Sequence, residues 1–188
     1  MKRGSDPARQ PAPASSPRPS LRALRGDEVD AAYEIYLQTC AWLQRKGVRQ
    51  WLLPKPRATF DARQDQGENY GLFLGNDLAV IATLSCEVHA YWPEKLGAEK
   101  RWWLHTLAVA PEFRGRRLGE ETVSAAVSLL RSKGASELFL DCGAEGVLPA
   151  YYGKLGFDPL AKKAITYPSG NTFLIVLMRN TISAGKTA

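Results

Sequence analysis

The stretch LHTLAVAPEFRGRRLGEE, residues 104–121, decides the fold of this chain. It begins as an apolar strand that stops at Pro111 and continues through an arginine-rich loop into an amphipathic segment, which predicts a helix over residues 119–133. The unpaired amides at the start of such a helix, with the helix dipole behind them, form an anion site, and arginines add charge-assisted bonds. The residues therefore predict a site for a nucleotide-like or coenzyme diphosphate; the alternative is a solvated, arginine-rich turn.

Two better-known phosphate-binding patterns are absent from the sequence. The chain has no GxxxxGK[ST] motif, and it has no GxGxxG motif followed about 20 residues later by an acidic side chain. ATP hydrolysis and dinucleotide-dependent dehydrogenation are therefore disfavoured.

Hydrophobic periodicity on both sides of this stretch predicts alternating strands and helices. A helix is expected after an N-cap at Asp27 and is expected to end at Gly47, whereas residues 51–69 show no clear period. Strands are expected at residues 21–24, 70–74, 78–86, 102–110, 137–142 and 171–178, with a short helix at 149–155. Because Gly75-Asn76-Asp77 separates two of the strands, they should form a hairpin. This order predicts a mixed sheet with helices on its faces.

Composition describes a single soluble domain. The 188 residues are 45% hydrophobic and 23% charged, and no apolar run is long enough to cross a membrane, so a cytoplasmic location is expected. Residues 1–20, rich in proline, serine and arginine, are expected to be a disordered tail, residues 21–180 one domain, and residues 181–188 a C-terminal tail. Half of the net charge of +6 lies in the first twenty residues, so nucleic acid is not an expected partner. Three cysteines without metal-ligand spacing predict neither a disulfide framework nor a metal site.

The sequence resembles the GNAT superfamily of N-acetyltransferases, in particular its small bacterial members. In that family, a strand reading like Leu107-Ala108-Val109 and a proline turn precede a Q/R-x-x-G-x-G/A loop, here Arg114 to Gly119. A second signature, AYYGKLGFDPL at residues 150–160, places Tyr152 at the family's tyrosine position, and residues 41–51 add a weaker similarity. The resemblance covers roughly residues 20–180 and implies an α/β (α+β) fold with a mixed, mostly antiparallel central sheet flanked by helices.

The resemblance implies acetyl-coenzyme A as cosubstrate and no metal. Main-chain groups of the fourth strand would pair with the pantetheine arm, and the amides of residues 115–120 would hold the diphosphate. The implied coenzyme-binding residues are Leu107, Ala108, Val109, Arg114, Gly115, Arg116, Arg117, Leu118, Gly119 and Glu120. The chain departs from the family at Arg117, which replaces a glycine, and at Glu145, which stands where many members have an asparagine.

Acetyl transfer in this family proceeds by direct attack of an amine on the thioester. The resemblance assigns Tyr152 as the general acid, and the alternative is a tyrosine packed in the core. Glu87, just past an apolar strand, is the first candidate for the general base. His105 is the second; it is expected to share a strand face with Leu107, two residues away. Asp141 and Glu145 are weaker candidates.

The acceptor is the least determined part. Four aromatic side chains could line an acceptor cleft or could serve as packing: Trp51, Tyr91, Trp92 and Trp102. Three carboxylates could attract a cationic amine: Glu68, Glu87 and Glu94. The prediction is an N-acetyltransferase that acts on a small primary amine, with no membrane partner and with homodimerisation left open. The alternatives are a non-catalytic acyl-CoA-binding module of the same fold and a protein or peptide N-terminal acetyltransferase.

Overall fold

The computed structural model describes residues 19–48, 50–166, 170 and 172–183. Within these ranges, seven strands form one sheet: β1 Ser20–Ala23, β2 Asn69–Leu74, β3 Asp77–Glu87, β4 Arg101–Val109, β5 Glu137–Gly143, β6 Asp158–Thr166 and β7 Thr172–Thr181. The same ranges contain five α-helices: α1 Val29–Arg45, α2 Arg57–Asp65, α3 Pro93–Leu96, α4 Leu118–Ser132 and α5 Leu148–Lys154.

The sheet has the strand order β1-β2-β3-β4-β5-β7-β6. All neighbouring strands are antiparallel except β4 and β5, which run parallel because α4 crosses over between them. This mixed, mostly antiparallel sheet with helices on its faces confirms the predicted fold class.

The helices cover opposite faces of the sheet. On one face, α1 and α2 pack on Phe73, Ile81 and Ala108 through an apolar stripe that includes Ile35, Tyr36 and Phe60. On the other face, α4 contributes Val123, Ala126 and Leu130 to the main core, where they pack with Leu84, Leu104 and Leu140. Each strand thus alternates between the α1–α2 face and the α4–α5 face.

The sheet divides between β4 and β5. Among the described residues, these strands pair through Trp103 and Phe139, and no further pair follows toward their carboxyl ends at Val109 and Gly143. The divergence leaves a gap in the middle of the sheet, called the split below. Because the split passes through the sheet, it connects the α1–α2 face with the α4–α5 face.

Most predicted elements are confirmed within one or two residues, and three details differ. Residues 57–65 form α2, which the sequence hides because Phe60 is its single buried residue. Asp27 lies in a 3₁₀ turn rather than at the helix N-cap, and the Glu28 carboxylate accepts the Arg25 amide at 2.8 Å. β6 and α3 were not among the elements that periodicity predicted.

The described residues extend past both predicted limits of the domain, 21 and 180. The sheet begins at Ser20, and at the other end β7 reaches Thr181 while Ile182 is 4% exposed within the main core. Ordered packing therefore continues two residues past the expected boundary at 180. Of the tails predicted at residues 1–20 and 181–188, residues 1–18 and 184–188 lie outside the described residues, as does Asn171 in the last predicted strand.

Candidate functional site

The junction between β4 and α4 has the geometry of an anion-binding loop. After a 3₁₀ turn at Pro111–Phe113, Gly115 has φ +80° and Arg117 has φ +58°, and α4 begins at Leu118. In the described part of the chain, the amides of residues 115–119 have no hydrogen-bond acceptor. The Glu120 amide donates to the Arg117 carbonyl at 3.0 Å, so the free amides end one residue earlier than predicted.

The three arginines of the loop differ in where their charges lie. Arg114 turns inward: its guanidinium donates to the Val109 carbonyl at 3.2 Å and to Thr39 Oγ1 at 3.3 Å and lies over the Trp42 ring. It therefore holds the loop against α1. From the sequence we expected Arg114 to face a phosphate, and it does not. Arg116 and Arg117 are exposed, and Arg116 lies over the Phe113 ring. Two cations, not three, are available to an anion at this junction.

Main-chain groups of β4 face the split at alternate residues. The Ala110 amide donates to the Ala79 carbonyl, and Ala108 pairs with Ile81, so the peptide groups of these even-numbered residues point to β3. Leu107 and Val109 consequently point their N–H and C=O groups toward the split, and Arg114 already occupies the Val109 carbonyl. The free edge groups for a ligand are thus the N–H and C=O of Leu107 and the N–H of Val109, whereas the predicted contact from Ala108 is not available through its main chain.

Tyr152 lies on α5 on the α4–α5 face of the split. Its ring makes edge contacts with Tyr151 and Phe157, at centroid distances of 5.2 and 5.9 Å. Burial, with a smaller effect of Cys142 nearby, raises the pKa of the Tyr152 phenol above its usual range. Its hydroxyl has no acceptor among the described residues, and it remains protonated at neutral pH. The group is therefore able to donate a proton to a ligand atom.

The neighbouring Tyr151 reaches across to the first turn of α4. A Cβ atom built on Gly119 would lie 2.5 Å from the Tyr151 hydroxyl oxygen and 3.9 Å from the Val109 side chain. The hydroxyl therefore lies where any larger residue at position 119 would place its side chain. The sequence singled out Gly119 for its small size, but it did not indicate that the Tyr151 side chain leaves no room for a larger residue there.

A β-bulge in β4 directs His105 to the α1–α2 face. Leu107 pairs with Ala82 and Leu104 with Leu84, so two residues, His105 and Thr106, stand opposite the single residue Thr83. The expectation that His105 shares the face of Leu107 is therefore wrong, because the extra residue breaks the alternation. Leu107 packs toward α4, while His105 lines a cleft beneath α1 and α2.

Glu87 is held by a cation and a histidine. Its carboxylate accepts from Arg63 at 2.9 and 3.1 Å and from His105 Nε2 at 2.7 Å, and Ser85 Oγ lies 2.9 Å from the same nitrogen. These bonds, that from His105 first, lower the pKa of the Glu87 carboxyl to about 2. Glu87 is therefore a weaker proton acceptor than we expected from the sequence. Because an ionised carboxylate only accepts hydrogen bonds, Glu87 selects the tautomer of the neutral His105 ring that carries its proton on Nε2 and its lone pair on Nδ1.

A second histidine, which sequence reasoning missed, lies against the first. His89 stacks on His105 with 5.6 Å between ring centroids and on Trp103 with 4.1 Å. Its Nε2 lies 3.6 Å from the Asp141 carboxylate, which also accepts Trp92 Nε1 at 3.1 Å. Burial lowers the pKa of the His89 imidazole. The sequence did contain an indication of His89: it lies two residues after Glu87, at the end of β3, and side chains with this spacing share one face of an extended strand.

The cleft lies between α1, α2 and the middle of the sheet. Its lining combines hydroxyl, cationic and apolar side chains: Tyr36, Lys55, Thr59, Phe60, Arg63, Thr83, His105 and Thr106. Arg63 and Lys55, which sequence reasoning did not single out, belong to this set. Both residues lie in the stretch 51–69, which shows no clear period in the sequence.

The aromatic side chains that were candidates for the cleft have different positions. Trp92 is 1% exposed and packs in a cluster with Trp103, and Trp102 packs on the opposite face of the sheet. Trp51 packs on Tyr36 at a centroid distance of 5.3 Å, and Tyr91 is 40% exposed. Trp92 and Trp102 therefore do not line the cleft, because both serve as packing.

The candidate carboxylates are already paired. Arg63 binds Glu68 at 2.7 Å in addition to Glu87, and Lys163 binds Glu94 at 2.8 Å. Asp141 is engaged by Trp92, and Glu145 is exposed after β5. The three acidic residues expected to attract a cationic acceptor thus have cationic partners of their own.

The described residues contain no group of three or more His, Cys, Asp or Glu side chains that could hold a metal ion. None of the helices in the described ranges is long and apolar enough to span a bilayer.

Comparison with known proteins agrees with this geometry. The sequence model of the acetyltransferase (GNAT) family matches residues 29–157, from the start of α1 to the residue after Gly156. An uncharacterised N-acetyltransferase of Bacillus subtilis, YesJ, is 24% identical over 149 residues, covering 75% of this chain and 82% of its own.

Solved structures share the fold at low sequence identity. A GNAT-family acetyltransferase from Listeria monocytogenes superimposes with a TM-score of 0.73 at 20% identity, covering 90% of this chain and 98% of its own. The ribosomal-protein-S18-alanine N-acetyltransferase from Escherichia coli gives a TM-score of 0.64 at 22% identity, covering 91% and 99%. At this level of identity, the structural likeness shows the fold alone. With the family match over most of the folded region, the chain belongs to the GNAT family of acetyltransferases.

Proposed function

We propose that this protein is an acetyl-CoA-dependent N-acetyltransferase that moves the acetyl group to a small primary amine by direct attack in a ternary complex. One observation carries the proposal: the split connects a half-buried, protonated tyrosine on the α4–α5 face with a carboxylate-paired histidine on the α1–α2 face. The two faces can therefore act on a donor and an acceptor that meet in the split.

The donor would be held by main-chain groups along β4 and by the start of α4. The main-chain groups of Leu107 and the Val109 amide are free for the pantetheine arm, and the amides of residues 115–119 have no acceptor of their own and are free for the diphosphate. Arg116 and Arg117 supply the remaining positive charge. When bound, acetyl-CoA supplies an acyl group that is activated as a thioester.

The acceptor face supplies the base. His105 Nδ1 takes a proton from the incoming ammonium group, and Glu87 stabilises the imidazolium that forms. Arg63 fixes the Glu87 carboxylate, and its charge keeps that carboxylate ionised. In this proposal Glu87 positions and stabilises His105 and does not itself remove the proton.

Tyr152 supplies the acid. The neutral amine forms a C–N bond to the carbonyl carbon, the C–S bond breaks, and the Tyr152 hydroxyl donates its proton to the departing sulfur. The proton that the nitrogen loses as the amide forms then returns to the Tyr152 phenolate. The free hydroxyl and the raised pKa of this phenol support the assignment, since the group is protonated before the reaction.

The charge of the cleft argues against a polycationic acceptor. Its candidate carboxylates are paired, and its lining is mostly neutral apart from Lys55 and Arg63, so a polycationic amine has no free counter-ion there. A second candidate, N-terminal acetylation of a peptide, is favoured by the fold shared with the E. coli enzyme that acetylates the alanine of ribosomal protein S18. Cytoplasmic location and homodimerisation remain predictions.

The direct test is release of free coenzyme A thiol from acetyl-CoA in the presence of a panel of amines. The panel comprises arylalkylamines, amino acids, polyamines, aminoglycosides and short peptides, and the matched control is His105→Ala. We expect acceptor-dependent release by the native chain and a strongly reduced rate for the control. Binding of acetyl-CoA without release for any acceptor would identify a non-catalytic module, and absence of binding at millimolar concentration would overturn the proposal.

A further inference from the structure

The edge of β5 that faces the split is covered by a side chain from a distant part of the sequence. The Ala144 amide donates to the Leu174 carbonyl in the direction of β7, so the amide of the preceding residue, Gly143, points the other way, into the split. That amide donates to the Gln50 side-chain carbonyl Oε1 at 3.1 Å. The two residues are 93 positions apart, and the bond crosses from the α1–α2 connection to the sheet.

An unpaired strand edge is a template for another extended chain. A peptide that entered the split beside β5 would offer a main-chain carbonyl to the Gly143 amide, because strand addition uses these groups. The Gln50 side chain is an amide and presents the same kind of carbonyl to the same donor. It therefore occupies the hydrogen-bonding position that the first carbonyl of an extended peptide acceptor would use.

The segment that carries Gln50 is fixed to α1. In this segment, residues 50–56, called the strap below, the Leu52 carbonyl accepts Gln44 Nε2 at 2.8 Å, and the Lys55 amide donates to the Tyr36 hydroxyl at 2.9 Å. Trp51 packs on the same tyrosine with φ +51°, a conformation that costs a non-glycine residue about 1–2 kcal/mol. These contacts hold the backbone of the strap in the position from which the Gln50 side chain binds the Gly143 amide.

We propose that Gln50 is a specificity-determining residue that closes the β5 edge to extended peptides and leaves the split to compact primary amines. The inference rests on the proposed acetyl transfer and deepens it by naming the acceptor class. It also explains why a chain that shares its fold with peptide-acetylating enzymes would act on a different class of acceptor.

The experiment compares kcat/KM for phenethylamine, as the compact amine, and for the tripeptide amide Ala-Ser-Gly-NH2, as the extended acceptor. Gln50→Ala should raise kcat/KM for the tripeptide about two- to tenfold, the effect of one neutral hydrogen bond, and change that for the amine less. Gln44→Ala is the matched control, because it removes a contact of the strap with α1 but leaves Gln50 bound to Gly143. Its acceptor ratio, which is kcat/KM for the tripeptide divided by kcat/KM for the amine, should stay near that of the native chain.

Hydrogen exchange of the Gly143 amide provides a readout that does not depend on turnover. The amide should be protected in the native chain and in the Gln44 variant, and it should exchange faster after Gln50→Ala. An unchanged acceptor ratio together with an exposed amide, or a native chain that prefers the tripeptide, would overturn the inference while leaving acetyl transfer intact. If neither acceptor, nor any amine of the panel above, releases thiol with the native chain, the proposed function fails instead, and Gly143 protection still tests the contact.

Discussion

The two faces of the split differ in how their polar groups are satisfied. On the α1–α2 face, charged side chains are paired with one another: Arg63 with Glu68 and Glu87, and Glu87 with His105. On the α4–α5 face, the polar groups are main-chain amides at the start of α4 and the phenols of Tyr151 and Tyr152, and they have no hydrogen-bond partners among the described residues. In the proposed mechanism, the first face is preorganised for proton transfer, and the second binds a ligand that carries its own charge.

Removing His105 should give the largest effect, because it removes the proposed general base from the α1–α2 face. We expect His105→Ala to lower kcat/KM about 10²- to 10³-fold, the usual contribution of a general base. Coenzyme affinity, measured by calorimetry, should not change. Glu87→Gln, which keeps a hydrogen-bond acceptor but loses the charge, should cost less; an unaltered rate for the alanine variant would remove His105 from the mechanism.

Replacement of Tyr152 tests the other face. Tyr152→Phe should lower kcat about 10- to 100-fold, since the ring still packs but no proton reaches the leaving sulfur. Coenzyme binding should change less than twofold. Tyr151→Phe is the matched control on the adjacent residue, and it should retain most of the turnover; equal losses in the two variants would contradict a special role for Tyr152.

A methyl group at Gly119 should show how closely α5 approaches α4. Gly119→Ala would place its Cβ 2.5 Å from the Tyr151 hydroxyl, and the overpacking should cost about 1–2 kcal/mol of unfolding free energy. Coenzyme affinity should fall as well, because the displaced phenol borders the amides of the loop. The double variant with Tyr151→Phe should recover the stability in thermal unfolding; if it does not, the contact inferred between these residues is absent.

The smallest expected effect concerns Arg117, whose backbone lies in the left-handed region. Arg117→Gly should raise the unfolding free energy by about 0.5–1 kcal/mol, because the strain of φ +58° is relieved and the entropy cost of glycine offsets only part of it. The same variant should bind coenzyme more weakly, since one of the two outward cations is lost. Gly115→Ala, at φ +80°, should change stability in the opposite direction.

The backbone geometry of the β4–α4 junction could be predicted well because its parts are contiguous. The strand, the turn, the glycines and the start of α4 lie within residues 104–121, and a local backbone path determines which amides stay free. The side-chain direction of Arg114 was not predictable, because its partners Thr39 and Trp42 belong to α1. The same holds for Tyr151, whose position depends on how α5 packs across the split.

The acceptor side could be predicted only in fragments. Glu87 and His105 were candidates, but the choice between them depended on Arg63 in α2, a helix with little apolar periodicity. The face of His105 depended on a bulge opposite Thr83, and a bulge leaves no signal in the alternation of a single strand. His89 drew no attention because its partner Asp141 lies on another strand.

By itself, the sequence determined the family, the order of strands and helices, and the loop that presents free amides, because short-range backbone preferences and hydrophobic periodicity specify such features. Only the tertiary structure decided which titratable groups meet, that Glu87 is held by Arg63, and that Gln50 covers the Gly143 amide. These contacts join residues that are 24 and 93 positions apart. Their geometry follows from the register of the sheet and from the packing of helices on it, and neither is encoded in any single segment.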